Sequence, residues 1–322
     1  MTLEQRIRSA EAELFAGVGA EPEASFHELA ATGLRVRVLS HGRGAPVVLL
    51  HGVSLGAAAW APLFPALPGH RLLAVDLPGH GLSDPVRYRR GEVREHACDL
   101  IDDVFDALGL DEAPVIGHSL GGMFALWHAA ARPGRISRLV AIGEPAVALP
   151  GVRVRMPLSL LTVRGLGFAV LRSLAPRAVY RQLLAQGLGR AEVAVAPDSL
   201  VEALHLSARR PGNARTVASL MHAIDRFRRP RGESVLTESE LAAVATPTMF
   251  IWGADAPYLS MEHARPSVER MPSAALYEVP GAHGPWLVDP GRSAELIEAH
   301  LGREVHASAR SSHSARPRAA RW

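Results

Sequence analysis

The chain has 322 residues, 48% of them hydrophobic and 21% charged, a globular composition that excludes a disordered or fibrous protein and allows one large α/β domain with an insertion. No apolar run reaches the roughly 18 residues that cross a bilayer, so no membrane span is expected. The net charge of +3 is carried by arginine alone and is uneven: residues 303–322 hold five arginines and one glutamate, and without them 30 arginines face 31 acids.

In chain order, residues 1–24 come first. Met1–Leu14 mixes Glu4, Arg6, Arg8, Glu11 and Glu13 with apolar residues. It lacks the apolar centre of a signal peptide and reads as an amphipathic helix. Phe26–Ala30 and Leu34–Leu39, joined by Ala31-Thr32-Gly33, read as an antiparallel hairpin at a sheet edge. Apolar runs bounded by turn residues then recur at Val47–Leu50, Leu72–Val75, Val115–Ile116, Leu139–Ile142, Met249–Ile251 and Ala275–Val279. Helix-like stretches separate most of them. In Glu92–Leu108, Ile101, Val104, Phe105 and Leu108 share one face, and Gly109 supplies a stop. This alternation predicts an α/β fold, a mostly parallel sheet flanked by helices.

The alternation breaks between Pro145 and about Leu241, in a helical-looking stretch rich in Leu, Ala and Arg. The expected organisation is a core of residues 25–145 and 242–302, a helical cap at 146–241, and a disordered basic tail at 303–322. That tail reads as solvated, and no nucleic-acid partner is expected. Cys98 is the only cysteine, which rules out an internal disulfide and suggests a cytoplasmic setting. Nothing in the sequence marks an oligomeric state.

Gly-x-Ser-x-Gly occurs twice, around Ser54 and around Ser119. The pattern carries chemistry only on a sharp strand–turn–helix elbow that exposes the serine oxygen, with small neighbours to avoid backbone clashes. Ala113-Pro114-Val115-Ile116 leads into the second copy, and Met123–Arg132 continues as a helix. After Ser54, Pro62 and Pro65 leave room for only a short helix. Ser119 is therefore the preferred nucleophile. His283, in a loop just beyond the strand Ala275–Val279, is placed to act as its base.

Five motifs occur in order: His51-Gly52, Asp76-Leu77-Pro78-Gly79-His80-Gly81-Leu82-Ser83-Asp84, Gly117-His118-Ser119-Leu120-Gly121-Gly122, Ile251-Trp252-Gly253 and Gly281-Ala282-His283-Gly284-Pro285-Trp286. Together they resemble the α/β-hydrolase superfamily, in the serine-nucleophile branch with a cap inserted after the sixth strand. The resemblance covers about Phe26 to Leu301. It implies that His51 and His80 belong to structural loops and that His118 is a neighbour of the nucleophile. It also implies an oxyanion hole made by the Val53 and Leu120 N–H groups. A pocket bordered by His51, Gly52, His118, Tyr258 and Trp286 is expected.

The acid is less plain. The family pattern puts an aspartate three residues after Gly253, where Ala256 stands; Asp255 lies one residue early. Glu144, at the end of the strand Leu139–Ile142, is the alternative and is preferred, because some members carry their acid there. Ser119 argues against dehalogenases and epoxide hydrolases, which the resemblance gives an aspartate at the elbow. No dinucleotide fingerprint, metal-ligand spacing or phosphate-loop lysine occurs, so no metal and no cofactor are expected.

The expected function is hydrolysis of an ester-like carbonyl of a small or medium apolar substrate through a serine acyl-enzyme. Carbon–carbon bond hydrolysis or perhydrolysis at the same site, or ligand binding without catalysis, are the alternatives. Met156, Leu158, Leu160, Leu161, Leu166, Phe168 and Leu171 are candidates for an apolar pocket roof or for the cap's own core, with Arg153, Arg155 and Arg164 between them.

Overall fold

A computed structural model describes residues 1–156, 158–173 and 176–302, without the side chains of residues 172 and 173. The expected disordered tail, 303–322, lies outside the described residues. The strands are β1 (Glu23–Glu28), β2 (Arg35–His41), β3 (Ala45–Leu50), β4 (His70–Val75), β5 (Ala113–His118), β6 (Ile136–Ile142), β7 (Thr248–Gly253) and β8 (Ala274–Val279). They form one eight-stranded sheet in the order β1-β2-β4-β3-β5-β6-β7-β8. β1 pairs antiparallel with β2, and β2 with β4; the other pairings are parallel.

The central strands read as continuous apolar runs because both faces of the sheet are covered. Val48, Leu50, Val115, Leu139 and Ala141 face one core. Their neighbours Val47, Leu49, Ile116, Val140 and Ile142 face the other. On the first face lie α2 (Val93–Ala107) and α3 (Leu120–Ala131); α2 buries Ala97, Leu100, Ile101, Val104 and Phe105 and ends before Gly109 at φ +67°.

Helix α1 (Leu3–Gly17) starts at a capping box formed by Thr2 and Gln5 and runs three residues past the expected end at Leu14. Its Glu11 makes a bidentate pair, at 2.6 and 2.7 Å, with Arg37 of β2, whose Nε also meets Asp76 at 2.7 Å. All three side chains are buried. Asp76 also accepts the N–H groups of Ala57 (2.7 Å) and Leu82 (2.9 Å), which draws the loops after β3 and β4 together.

Between β6 and β7 the chain forms α4 (Leu166–Ser173), α5 (Arg177–Gly187), α6 (Arg190–Val195), α7 (Asp198–Ala208), α8 (Asn213–Ile224) and α9 (Glu238–Ala243). A short 3₁₀ turn, Leu158–Thr162, precedes α4. After β7 come α10 (Met261–Val268), α11 (Pro285–Val288) and α12 (Pro290–Leu301). The direction of strand succession reverses between β3 and β5, and such a switch point opens a crevice at the strands' C-terminal ends. The motifs around Ser54 and Ser119 both leave the sheet there.

Candidate active site

Ser119 joins β5 to α3 at φ +49°, a conformation that non-glycine residues rarely adopt. The glycines around it are dictated by contact. A Cβ on Gly117 would lie 2.6 Å from the Gly122 nitrogen, and one on Gly121 would overlap the carbonyl of Leu50. The serine is thus held on a tight elbow at the start of a 12-residue helix, whose N-terminus favours negative charge nearby. Leu120 and Val53, whose N–H groups are the expected oxyanion donors, line the same cavity as Ser119. Neither donates a hydrogen bond among the described residues.

His283 follows β8 in a loop tied at several points. Its Nδ1 meets Glu144 Oε2. Its N–H donates to the Leu188 carbonyl (2.8 Å), and its own carbonyl accepts from His118 Nε2 (3.0 Å). With Nδ1–H given to the carboxylate, Nε2 is left as the proton acceptor. Gly143, just before Glu144, has φ +68°, and a Cβ there would sit 2.6 Å from the His283 carbonyl.

Glu144 is wholly buried. Its Oε1 accepts the N–H groups of Tyr258 (2.8 Å) and Leu259 (3.3 Å). Burial alone would raise this carboxyl, but His283 and the Tyr258 N–H outweigh it and hold it below its ordinary value. Asp255 is exposed, and its side chain makes no bond to His283. The loop after β7 therefore offers Glu144 two backbone donors where the family pattern has a carboxylate.

Three expected pocket residues do not reach the cavity wall. Trp286 packs against Trp60 and His118, and its indole donates to the Ala59 carbonyl at 2.9 Å. His51 is fully buried, bonded through Nδ1 to the Gly52 carbonyl (2.7 Å) and through Nε2 to the Leu77 N–H (3.0 Å). Gly52 lies behind the wall, and a Cβ on it would overlap His118. His80 is equally structural: it holds the Ser54 N–H (3.1 Å), and burial, then His51, push it down to about 3. His118 and Tyr258 do line the cavity. Burial and the adjacent His283 keep His118 well below the ordinary imidazole value, and hence neutral.

The cavity measures about 160 Å³. Besides Ser119 and His283 it is walled mainly by aliphatic side chains, and among the described residues no arginine or carboxylate lines it. Leu158, Leu160, Leu161 and Leu171 contribute, whereas Met156 and Leu166 point to solvent, 51% and 41% exposed. Tyr180, Leu184 and Leu188 of the α5 region, with Leu220, Met221 and Ile224 of α8, complete the wall and were not expected from the sequence. Their i, i+4 spacing was the available signal. Ser54 also borders the cavity at φ +62°, but a 3₁₀ turn (Ala57–Leu63) follows it instead of an α-helix.

Residues 45–290 match the model of the α/β-hydrolase-fold family. The chain belongs to that family. This α/β-hydrolase is 30% identical, over 76% of its length and 83% of the relative's, to a 2-hydroxy-6-oxononadienedioate/2-hydroxy-6-oxononatrienedioate hydrolase of Cupriavidus pinatubonensis. It is also similar to a 2-hydroxymuconate semialdehyde hydrolase of Pseudomonas putida, at 28% identity over 85% of this chain and 93% of that one. Among solved structures, carboxylesterase CesB (YbfK) of Bacillus subtilis has the same fold: TM-score 0.74, 19% identity, 94% of this chain and 99% of that one covered. No helix among the described residues is long and apolar enough to cross a membrane.

Proposed function

We propose that this α/β-hydrolase cleaves neutral, apolar acyl esters through a covalent serine intermediate, with Ser119 as nucleophile, His283 as base and Glu144 as acid. The observation that carries the reading is the buried Glu144–His283 pair, with the His283 imidazole and Ser119 on the wall of one apolar cavity. Ser119 Oγ attacks the carbonyl carbon while His283 Nε2 takes its proton. The carbonyl electrons move onto oxygen, which the Val53 and Leu120 N–H groups receive. Collapse expels the alkoxide, protonated by His283. Water then gives its proton to His283 and attacks the acyl-enzyme, which releases the acid and restores Ser119. Glu144, ionised, orients the imidazole and stabilises its protonated form.

The cavity wall supports a neutral substrate. A dienedioate carries two carboxylates, and burying even one without a cation costs several kcal/mol. Among the described residues no arginine lines the cavity. The sequence likeness to dienedioate hydrolases favours a second reading, carbon–carbon hydrolysis at the same serine. Steady-state kinetics on p-nitrophenyl butanoate and on a 2-hydroxy-6-oxodienedioate separate the two. The ester is expected to give the larger kcat/KM by at least about 100-fold. Preference for the dienedioate would overturn the ester reading.

A further inference from the structure

Glu192 is a carboxylate buried to 1% exposure on α6, far in sequence from every motif. Its Oε1 accepts the N–H of Ala282, the residue before His283. Its Oε2 has no hydrogen-bond partner among the described residues. Two glycines make room for it. A Cβ on Gly189 would overlap Oε2, and one on Gly281 would lie 2.9 Å from Oε1; both have positive φ, +127° and +111°. One turn earlier, the Leu188 carbonyl accepts the His283 N–H at 2.8 Å.

Two consecutive amides of the histidine loop are therefore held by acceptors on the segment inserted between β6 and β7. The core supplies the other restraints, Glu144 at Nδ1 and His118 at the carbonyl. A buried carboxylate with one unmatched oxygen is an expensive way to hold one amide. Such a cost is commonly tolerated where position matters to function.

We propose that Glu192 is a positioning residue: it fixes the Ala282–His283 segment against the inserted helices, so that His283 faces Ser119 only while those helices are docked. This rests on the reading of His283 as base. The base would then be set by the docking of the insert as well as by its triad partner, and movement of α6 away from the core would release it.

The test compares the full chain with Glu192→Gln, Glu192→Asp and Glu192→Ala. Gln keeps an acceptor at the same reach. Asp keeps the carboxyl group but is one methylene short. Hydrogen exchange measured on peptides spanning residues 279–286 reads the clamp without reference to activity. Asp and Ala are expected to speed exchange there by at least about tenfold, with peptides from β6 and β7 unchanged, and Gln is expected to stay near wild type. On p-nitrophenyl butanoate, Asp and Ala should lower kcat roughly 10- to 100-fold with KM within about threefold, and Gln should retain most of kcat.

Unchanged exchange in the Ala variant would overturn the proposal whatever the activity does. So would equal losses in Gln and Ala, or a change in KM alone. Exchange throughout the chain in Ala would mark a folding defect; the Gln–Asp comparison then decides. Failure of the wild type to react with a fluorophosphonate would sink the reading of Ser119 and His283 instead, while the exchange data still judge the clamp.

Discussion

Glu144 contributes to folded stability through a carboxyl held below its ordinary value of 4.5. Such a group stabilises the fold fully above its unfolded value, and the contribution fades as pH falls through the lower folded value. The urea midpoint of Glu144→Gln relative to wild type is therefore expected to show a constant deficit above pH 4.5 that shrinks below it. A deficit that grew on acidification would contradict an ionised Glu144. In kinetics, Glu144→Gln should lower kcat by roughly 10²–10⁴ with little change in KM, while Asp255→Asn should stay within about twofold of wild type. That Ser119 sits on an elbow and His283 in the loop after β8 was legible because those motifs are local in sequence. The choice between Glu144 and Asp255 was not, because the backbone of Tyr258, which receives Glu144, is folded against it from 114 residues away. Trp286, His51 and Gly52 misled for a related reason: all three sit in motifs that pack the loops behind the wall.

At the scale of elements, the end of β6 shows how tightly backbone and chemistry are joined. Gly143 turns the chain at φ +68° directly beneath His283. Gly143→Ala adds both left-handed strain and a collision with the His283 carbonyl. Displacing a catalytic group by about 1 Å costs around 10² in rate, so kcat should fall by about that factor while circular dichroism still reports a folded chain. A wild-type rate would mean that His283 is placed otherwise. The strands were readable because alternate residues feed two apolar cores. Only Val115–Ile116 of β5 stands out in the sequence, because Ala113-Pro114 and Gly117-His118 interrupt its apolar run, although they continue the strand. The pocket faces of α5 and α8 were not readable: an amphipathic helix in an insert shows a buried stripe, not what it is buried against.

At the scale of the whole molecule, the Glu11–Arg37–Asp76 cluster ties α1 to the sheet and to the loops that carry Val53 and the motif beginning at Asp76. Arg37→Leu leaves two buried carboxylates without a cation, and urea denaturation should show a loss of about 3–5 kcal/mol. A loss under about 1 kcal/mol would mean that α1 docks by its apolar face alone. The amphipathic character of α1 was plain in the sequence. Its buried ion pair was not, since Arg37 is indistinguishable there from a solvated arginine. Reaction of the full chain with a fluorophosphonate, read by intact mass and peptide mapping, tests the central claim most directly. One adduct is expected, on Ser119, absent from Ser119→Ala and still formed by Ser54→Ala. A folded wild type that takes no adduct, or takes it at Ser54, would contradict an activated Ser119–His283–Glu144 site.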